Sequence, residues 1–252
     1  MSSIPDLNII LSQRLISLLS RKYGETHSIF YPITRRTSIK DIIESIGIPH
    51  TEIGKIYTDQ EEIDFGFIPE ASTTVNIVEI TPPFDVTRPS LLRPIPLPKI
   101  LFIADLNVSK LATLLRMLGI NVEIAYDLSD KEIASIAHEQ KRIVLSKDLG
   151  LLKHRKITHG RYVRSVYPED QLQEIIHFFN LKPHLQPFSR CLKCNNPLMF
   201  VEKEEIVSRL QPKTRLYFNH FKICTKCDKI YWKGSHHDGM VKKIQQSGII
   251  QI

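Results

Sequence analysis

Lys99-Ile-Leu-Phe-Ile-Ala-Asp105 decides how this chain is read, because it is an apolar run of strand length that ends on a carboxylate. The pattern recurs. Val122-Glu-Ile-Ala-Tyr126 runs into Asp127, with Asp130 close behind, and Arg142-Ile-Val-Leu-Ser146 runs through Lys147 into Asp148. Two helical patterns separate these runs, which makes the segment β-α-β-α-β, the unit that builds a parallel sheet. The first helix carries Leu111, Leu114, Leu115 and Leu118 on one face, and Gly119 is placed to stop it. The second opens with Ser129 and Glu132 at capping-box spacing ahead of Ile133, Ile136 and Ala137. Right-handed crossovers run such strands in one direction, so their C-terminal tips share the sheet edge where open α/β folds bind ligands. Asp105, Asp127 or Asp130, and Asp148 are therefore expected on one edge.

Downstream, Gly160-Arg-Tyr-Val-Arg-Ser-Val166 reads as a fourth strand, and Pro168 opens a helix with Leu172, Ile175, Ile176 and Phe179 on one face. Upstream, residues 8 to about 82 read as a small α+β unit. Its strands are Ser28–Pro32, Lys55–Tyr57 and Val75–Ile80, and its capped helix runs from Thr37 to Gly47. His50, Glu52 and Asp64 in this unit read as turn or packing residues, and no chemistry is assigned to them. Pro82, Pro83, Pro89, Pro94, Pro96 and Pro98 follow, a density that excludes a central strand and predicts a semi-rigid spacer.

With 42% hydrophobic and 24% charged residues over 252 positions, the composition is that of a well-packed globular chain. No apolar run reaches the roughly 18 residues that cross a bilayer, and Met1-Ser-Ser-Ile-Pro5 has no basic segment leading into an apolar one; a cytoplasmic protein with no membrane partner is expected. The net charge of +7 is uneven: residues 189–252 hold 12 basic and 5 acidic side chains, whereas residues 1–98 hold 9 and 12. The basic C-terminal third suits a polyanion such as nucleic acid.

All four cysteines fall in Cys191-Leu-Lys-Cys194 and Cys224-Thr-Lys-Cys227. Two such knuckles present four thiolates to one tetrahedral zinc, and a full thiolate shell is structural because it leaves no position for substrate. Arg190, Lys193, Lys222, Lys226, Lys229 and Lys233 surround the knuckles and interleave with Tyr231 and Trp232. Basic residues beside aromatics suit phosphates and stacked bases.

Hard divalent cations take oxygen ligands, and Mg²⁺ or Mn²⁺ on a few carboxylates is the usual apparatus of phosphodiester hydrolysis. Asp105, Asp130 and Asp148 are the candidate catalytic metal ligands, with Asp127 replacing or supporting Asp130. Lys110 and Arg116, on the helix after Asp105, and Lys147 beside Asp148 are candidate phosphate contacts. Each acid alone also fits a helix cap, Asp130 above all. A haloacid-type phosphatase site is disfavoured, since Asn107 stands where that pattern needs a second acid.

Two sets of residues carry a family resemblance. Ser38-Ile-Lys-Asp-Ile-Ile-Glu-Ser-Ile-Gly-Ile-Pro-His-Thr-Glu-Ile53 is similar to the ubiquitin-like (β-grasp) domain ahead of PIN-like nucleases of the Mut-seven C-terminal RNase family. Phe102-Ile-Ala-Asp105, Leu111-Ala112, Leu115-Arg-Met-Leu-Gly119, Ser146-Lys-Asp148, Asp170-Gln-Leu172 and Tyr231-Trp-Lys-Gly-Ser-His236 resemble the nuclease part and its tail. The chain departs from the family pattern at Leu106-Asn107-Val108, at Ser146-Lys147 and at His237, and it keeps the acids.

The resemblance implies an α/β fold. A ubiquitin-like domain would occupy 1–82, a Pro-rich linker 83–98, a PIN-like parallel-sheet nuclease domain 99–188 and a zinc ribbon 189–252. It implies a ribonuclease, which with the residues read above makes a metal-dependent enzyme with structural Zn²⁺ and catalytic Mg²⁺ or Mn²⁺; the candidate contacts to its RNA (tRNA, rRNA or mRNA) are Lys110, Arg116, Lys147, Arg190, Lys193, Lys226, Lys229, Trp232 and Lys233. The ubiquitin-like unit is expected to be a docking or positioning module for a protein partner, one whose removal leaves nucleic-acid affinity nearly unchanged. Two other classes stay open: a catalytically inactive RNA-, tRNA- or ribosome-binding module, and an adaptor.

Overall fold

The computed structural model describes residues 6–59, 61–246 and 248, apart from the side chains of His236, Lys243 and Gln246. Two compact units emerge, one of residues 1–107 and 125–163, the other of 108–124 and 164–252.

The first unit holds the ubiquitin-like sheet and two of the three strands that end in acids; the third, Val122–Ile124, falls in the second unit. Leu7, Ile9 and Leu11 alternate inward along Asp6–Leu11, a strand that period-two burial identifies and that now leads the domain. It pairs antiparallel with Ser28–Pro32 and parallel with Thr74–Glu79, which in turn pairs antiparallel with Ile53–Thr58. Glu61–Glu62 closes the five-stranded order as an edge. The helix expected over Thr37–Gly47 runs over Ile39–Ser45, and its cap is Ser38, whose hydroxyl accepts from the Asp41 amide. It buries Ile39, Ile42 and Ile43 against the sheet.

In the same unit Phe102–Ala104, Ile143–Ser146 and Gly160–Tyr162 pair in parallel, Ile103 opposite Val144 and Leu145 opposite Arg161. All four residues of Ile143–Ser146 are buried, as a strand covered on both faces must be. The strands are shorter than the apolar runs that announce them, although Leu101, Asp105 and Val163 just beyond them still hydrogen-bond to the adjacent strand. The proline-rich segment packs instead of spanning open space. Val86, Leu92 and Leu97 are buried, and the buried Arg93 guanidinium donates to the carbonyls of His50, Thr51, Ile53 and Thr158.

The second unit pairs the helices Ser109–Met117 and Pro168–Phe178 and carries the ribbon. Gly119 sits at φ +84° just past the end of the first helix, the left-handed position that its sequence placement requires. Leu198–Val201, Phe221–Cys224 and Ile230–Trp232 form an antiparallel ribbon over a small core of Ile206, Leu210 and Phe221. The long excursion between the cysteine pairs is structured: it supplies the first ribbon strand and the helices Lys203–Ile206 and Pro212–Tyr217. A further helix, Ser235–Gln246, follows the ribbon. No helix among the described residues is long and apolar enough to cross a membrane.

Candidate active site and metal centre

Asp105 follows the last residue of its strand, and its amide donates to the Leu145 carbonyl, so the neighbouring strand fixes where its side chain begins. Its Oδ2 accepts from Asn107 Nδ2 at 2.5 Å and from Ser146 Oγ at 2.7 Å. Ser146 ends the central strand and is fully buried, and its Oγ also accepts from the Asp148 amide at 2.8 Å. Asn107 Oδ1 accepts from the Lys147 amide at 3.2 Å. One hydrogen-bonded cluster thus ties Asp105 to the loop that carries Asp148.

Asp148 plays a second part. It is the N-cap of the short helix Leu149–Leu152, and its Oδ1 accepts from the Gly150 and Leu151 amides at 2.6 and 3.3 Å. In each acid one carboxylate oxygen is held by these donors; no hydrogen bond among the described residues reaches the other.

Asp130 is not a cap. Ser129 takes that position, with the Glu132 carboxylate accepting from the Ser129 amide and hydroxyl, and Asp130 stands exposed as the first residue of the helix Asp130–Glu139. Asp127 is also exposed, at φ +54° in the turn before it. Neither is hydrogen-bonded into the Asp105–Ser146–Asp148 cluster, and the described carboxylates do not close into a group as tight as the cysteines.

The four sulfurs of Cys191, Cys194, Cys224 and Cys227 lie within 4.8 Å of one another, and no pair is joined as a disulfide. Cys191 Sγ is 3.5 Å from Cys227 Sγ, and Cys194 Sγ is 3.3 Å from Cys224 Sγ. A tetrahedron with Zn–S bonds of roughly 2.3 Å has edges of about 3.8 Å, so the donor set fits zinc in kind and in spacing. Burial acts to raise the Cys191 thiol. The Tyr231 hydroxyl, at 3.1 Å, and the Cys194 amide outweigh it and bring the group down to about 6, toward the thiolate a metal needs.

Two arginines expected on a phosphate-binding surface are committed elsewhere. Arg116 is 2% exposed; its Nε donates to the Val122 carbonyl at 2.8 Å and its Nη1 to the carbonyls of Leu192 and Lys193 at 3.0 and 2.9 Å. It thereby braces the first cysteine knuckle, supplying donors to two of its backbone carbonyls. Arg190 is half-buried and donates to the carbonyls of Gly119 and Asn195. By contrast Lys110, Lys193, Lys226, Lys229 and Lys233 are exposed, Lys147 is half-buried, and Trp232 is 38% exposed. Lys229 Nζ stands 5.5 Å over the Tyr231 ring.

Residues without an assigned role prove central to the first unit. Glu52 is 1% exposed and accepts from Arg161 Nη1 at 2.6 Å and from the Tyr162 amide at 2.8 Å. His50 is a packing residue, as expected, but with both ring nitrogens engaged: Nδ1 on the Glu44 carboxylate and Nε2 on the Ile157 carbonyl, each at 2.6 Å. Leu149 and Tyr162 pack against the ubiquitin-like core. The sequence signal was faint, three polar residues (His50, Thr51, Glu52) set between apolar neighbours, and their burial is a finding of the structure.

A ubiquitin-like domain joined to a parallel-sheet nuclease-type domain with a four-cysteine ribbon is the class that fold and site define. The family model of the Mut7-C RNAse domain matches residues 100–244, and that of the Mut7-C ubiquitin domain matches residues 7–85. The chain belongs to the Mut7-C RNase family. No curated protein and no solved structure matches it.

Proposed function

We propose that the chain is a metal-dependent ribonuclease that hydrolyses RNA phosphodiester bonds and holds RNA through its basic zinc ribbon. The observation that carries the reading is the Ser146 bridge, which donates to Asp105 Oδ2 and accepts from the Asp148 amide. It orients two acids at the ends of two adjacent parallel strands, each with one oxygen unclaimed. Asp105 and Asp148 would hold Mg²⁺ or Mn²⁺, with Asp130 or Asp127 as further ligands; such carboxylates fit a hard cation in kind. The bound ion supplies an activated water and stabilises charge on the phosphate.

The chain's own residues prepare that chemistry. Asn107 and Ser146 fix the Asp105 carboxylate, and the Gly150 and Leu151 amides fix Asp148, so neither acid has to be ordered when a cation and an RNA arrive. Lys147, beside Asp148, is the nearest basic side chain in sequence for a phosphate oxygen. In the second unit, exposed Lys110, Lys193, Lys226, Lys229 and Lys233 are cations suited to RNA phosphates.

The test is RNA cleavage by Asp105→Asn and Asp148→Asn beside the wild type, in Mg²⁺ and in Mn²⁺. Both variants should lose cleavage and keep RNA binding, because an amide removes a unit of charge at nearly constant volume. Variants that cut as fast as the wild type would refute the assignment. A second reading, an RNA-binding module without hydrolysis, is favoured by Asp148 serving as a helix cap and by the looser spread of the carboxylates relative to the cysteines. It forecasts no cleavage by the wild type on any RNA.

A further inference from the structure

The ribbon leaves one large apolar side chain almost bare: Phe200, on the Leu198–Val201 edge strand, is 81% exposed. Lys222 pairs with it across the ladder and holds its Nζ 5.2 Å over the Phe200 ring while donating to the Phe188 carbonyl at 3.0 Å. Tyr231 continues the same cross-strand row beside Lys222. Phe188 leans on His237, ring centres 4.2 Å apart, and Trp232 stands on the third strand. These side chains, with Lys222 and Lys233, line a cavity of about 440 Å³.

We propose that this cavity is a stacking subsite for one unpaired nucleobase of single-stranded RNA. The proposal rests on the RNA-binding part of the function proposed above. Its volume lies in the range of small-ligand sites, roughly 300–1,000 Å³, which holds a nucleotide and excludes a duplex. A base inside a helix cannot reach into a concave wall, whereas a splayed base presents both faces to aromatic rings. The charge argues for RNA over an apolar polypeptide. Residues 189–252 carry 12 basic and 5 acidic side chains, and two lysines, Lys222 and Lys233, are among the residues that line the cavity, a charge that suits the phosphates flanking an inserted base.

Trp232 is the chain's single tryptophan, so its fluorescence reports on this cavity alone. The full-length, zinc-loaded protein is titrated with labelled decauridine and decaadenine in buffer without added Mg²⁺ or Mn²⁺, reading tryptophan emission and label anisotropy together. Emission should fall in step with anisotropy, and a decamer of abasic residues should bind more weakly without quenching. Phe200→Ala, at an exposed position, should weaken binding about tenfold with an unchanged salt slope, and Phe200→Leu should fall between it and wild type. Binding by anisotropy with constant emission and wild-type affinity of Phe200→Ala would overturn the subsite and leave the RNA-binding reading standing. No binding to either oligonucleotide would overturn both. Quenching by a leucine-rich amphipathic peptide that decauridine does not displace would assign the cavity to a protein partner and overturn the proposal.

Discussion

Glu52 and Arg161 meet at 2.6 Å, 109 positions apart in sequence, and both are buried. Glu52 closes the helical turn ahead of a ubiquitin-like strand, and Arg161 lies in the middle of the parallel strand Gly160–Tyr162. Taking one partner away strands a charge out of water, which costs about 3–5 kcal/mol. Glu52→Ala and Arg161→Ala should each lower the unfolding free energy by that amount, read as a lower denaturant midpoint, and Glu52→Gln, which keeps the acceptor for the Tyr162 amide, should cost less. Equal midpoints for Glu52→Ala and wild type would show that the pair contributes nothing.

The same contacts revise what an N-terminal deletion does. A docking module could be removed at little cost to RNA affinity. Here the removal of residues 1–81 takes away Glu52 from Arg161, the His50, Thr51 and Ile53 carbonyls from Arg93, and the apolar wall under Leu149 and Tyr162. The truncated chain is expected to lose cooperative unfolding and to aggregate; a sharp thermal transition in it would refute this.

His159 gives the first unit a pH dependence. Burial first, and the Arg93 guanidinium second, hold its pKa down at about 4. In the unfolded chain the value is about 6.5, so between the two pH values the unfolded state takes up a proton that the folded state refuses. Stability is full above about pH 6.5 and falls as pH drops toward about 4, by up to ~3 kcal/mol from this group. His159→Gln should flatten that part of the profile in urea titrations across the window, and an unchanged slope would refute the assignment.

Metal removal separates structure from catalysis. The purified protein should carry one zinc per chain, and Cys191→Ser or Cys224→Ser should lose it and unfold the ribbon, since zinc binding is folding free energy in so small a core. Elemental analysis with circular dichroism decides it. A zinc-free protein with two disulfides would refute the site.

Arg116 and Lys226 should behave as opposites. Arg116→Met removes three hydrogen bonds to backbone carbonyls and a buried guanidinium, so it should destabilise the second unit by about 2–5 kcal/mol and leave the salt dependence of RNA binding unchanged. Lys226→Gln, at an exposed position, should leave stability unchanged and reduce the log-log salt slope by up to about 1. The reverse pattern would return Arg116 to the RNA surface.

Ser146→Ala should cut Mg²⁺-dependent cleavage by about 10–100-fold with the metal concentration for half-activity raised, because Asp105 loses a donor that orients it. Asn107→Ala should act in the same direction. Cleavage at the wild-type rate in Ser146→Ala would show that the bridge is structural only.

Local periodicity is what the sequence by itself determined. The apolar runs located the parallel strands, the Ser129–Glu132 capping box and Gly119 placed one helix start and one helix stop, and the two Cys-x-x-C pairs announced a four-thiolate site, because each of these is encoded within a turn or two of chain. The tertiary structure alone decided the fate of the polar residues. Arg116 and Arg190 read as cations for phosphate, yet carbonyls arriving from residues 192, 193 and 195 claim them. Glu52 read as a turn residue until Arg161 arrived from the far end of the unit. Asp148 could be read as cap or ligand; the fold gives its Oδ1 to two amides and leaves its other oxygen open. A side chain's periodicity states which face it occupies, but its hydrogen-bond and charge partners come from segments that only folding brings near, and a buried polar group has no role until those partners are known.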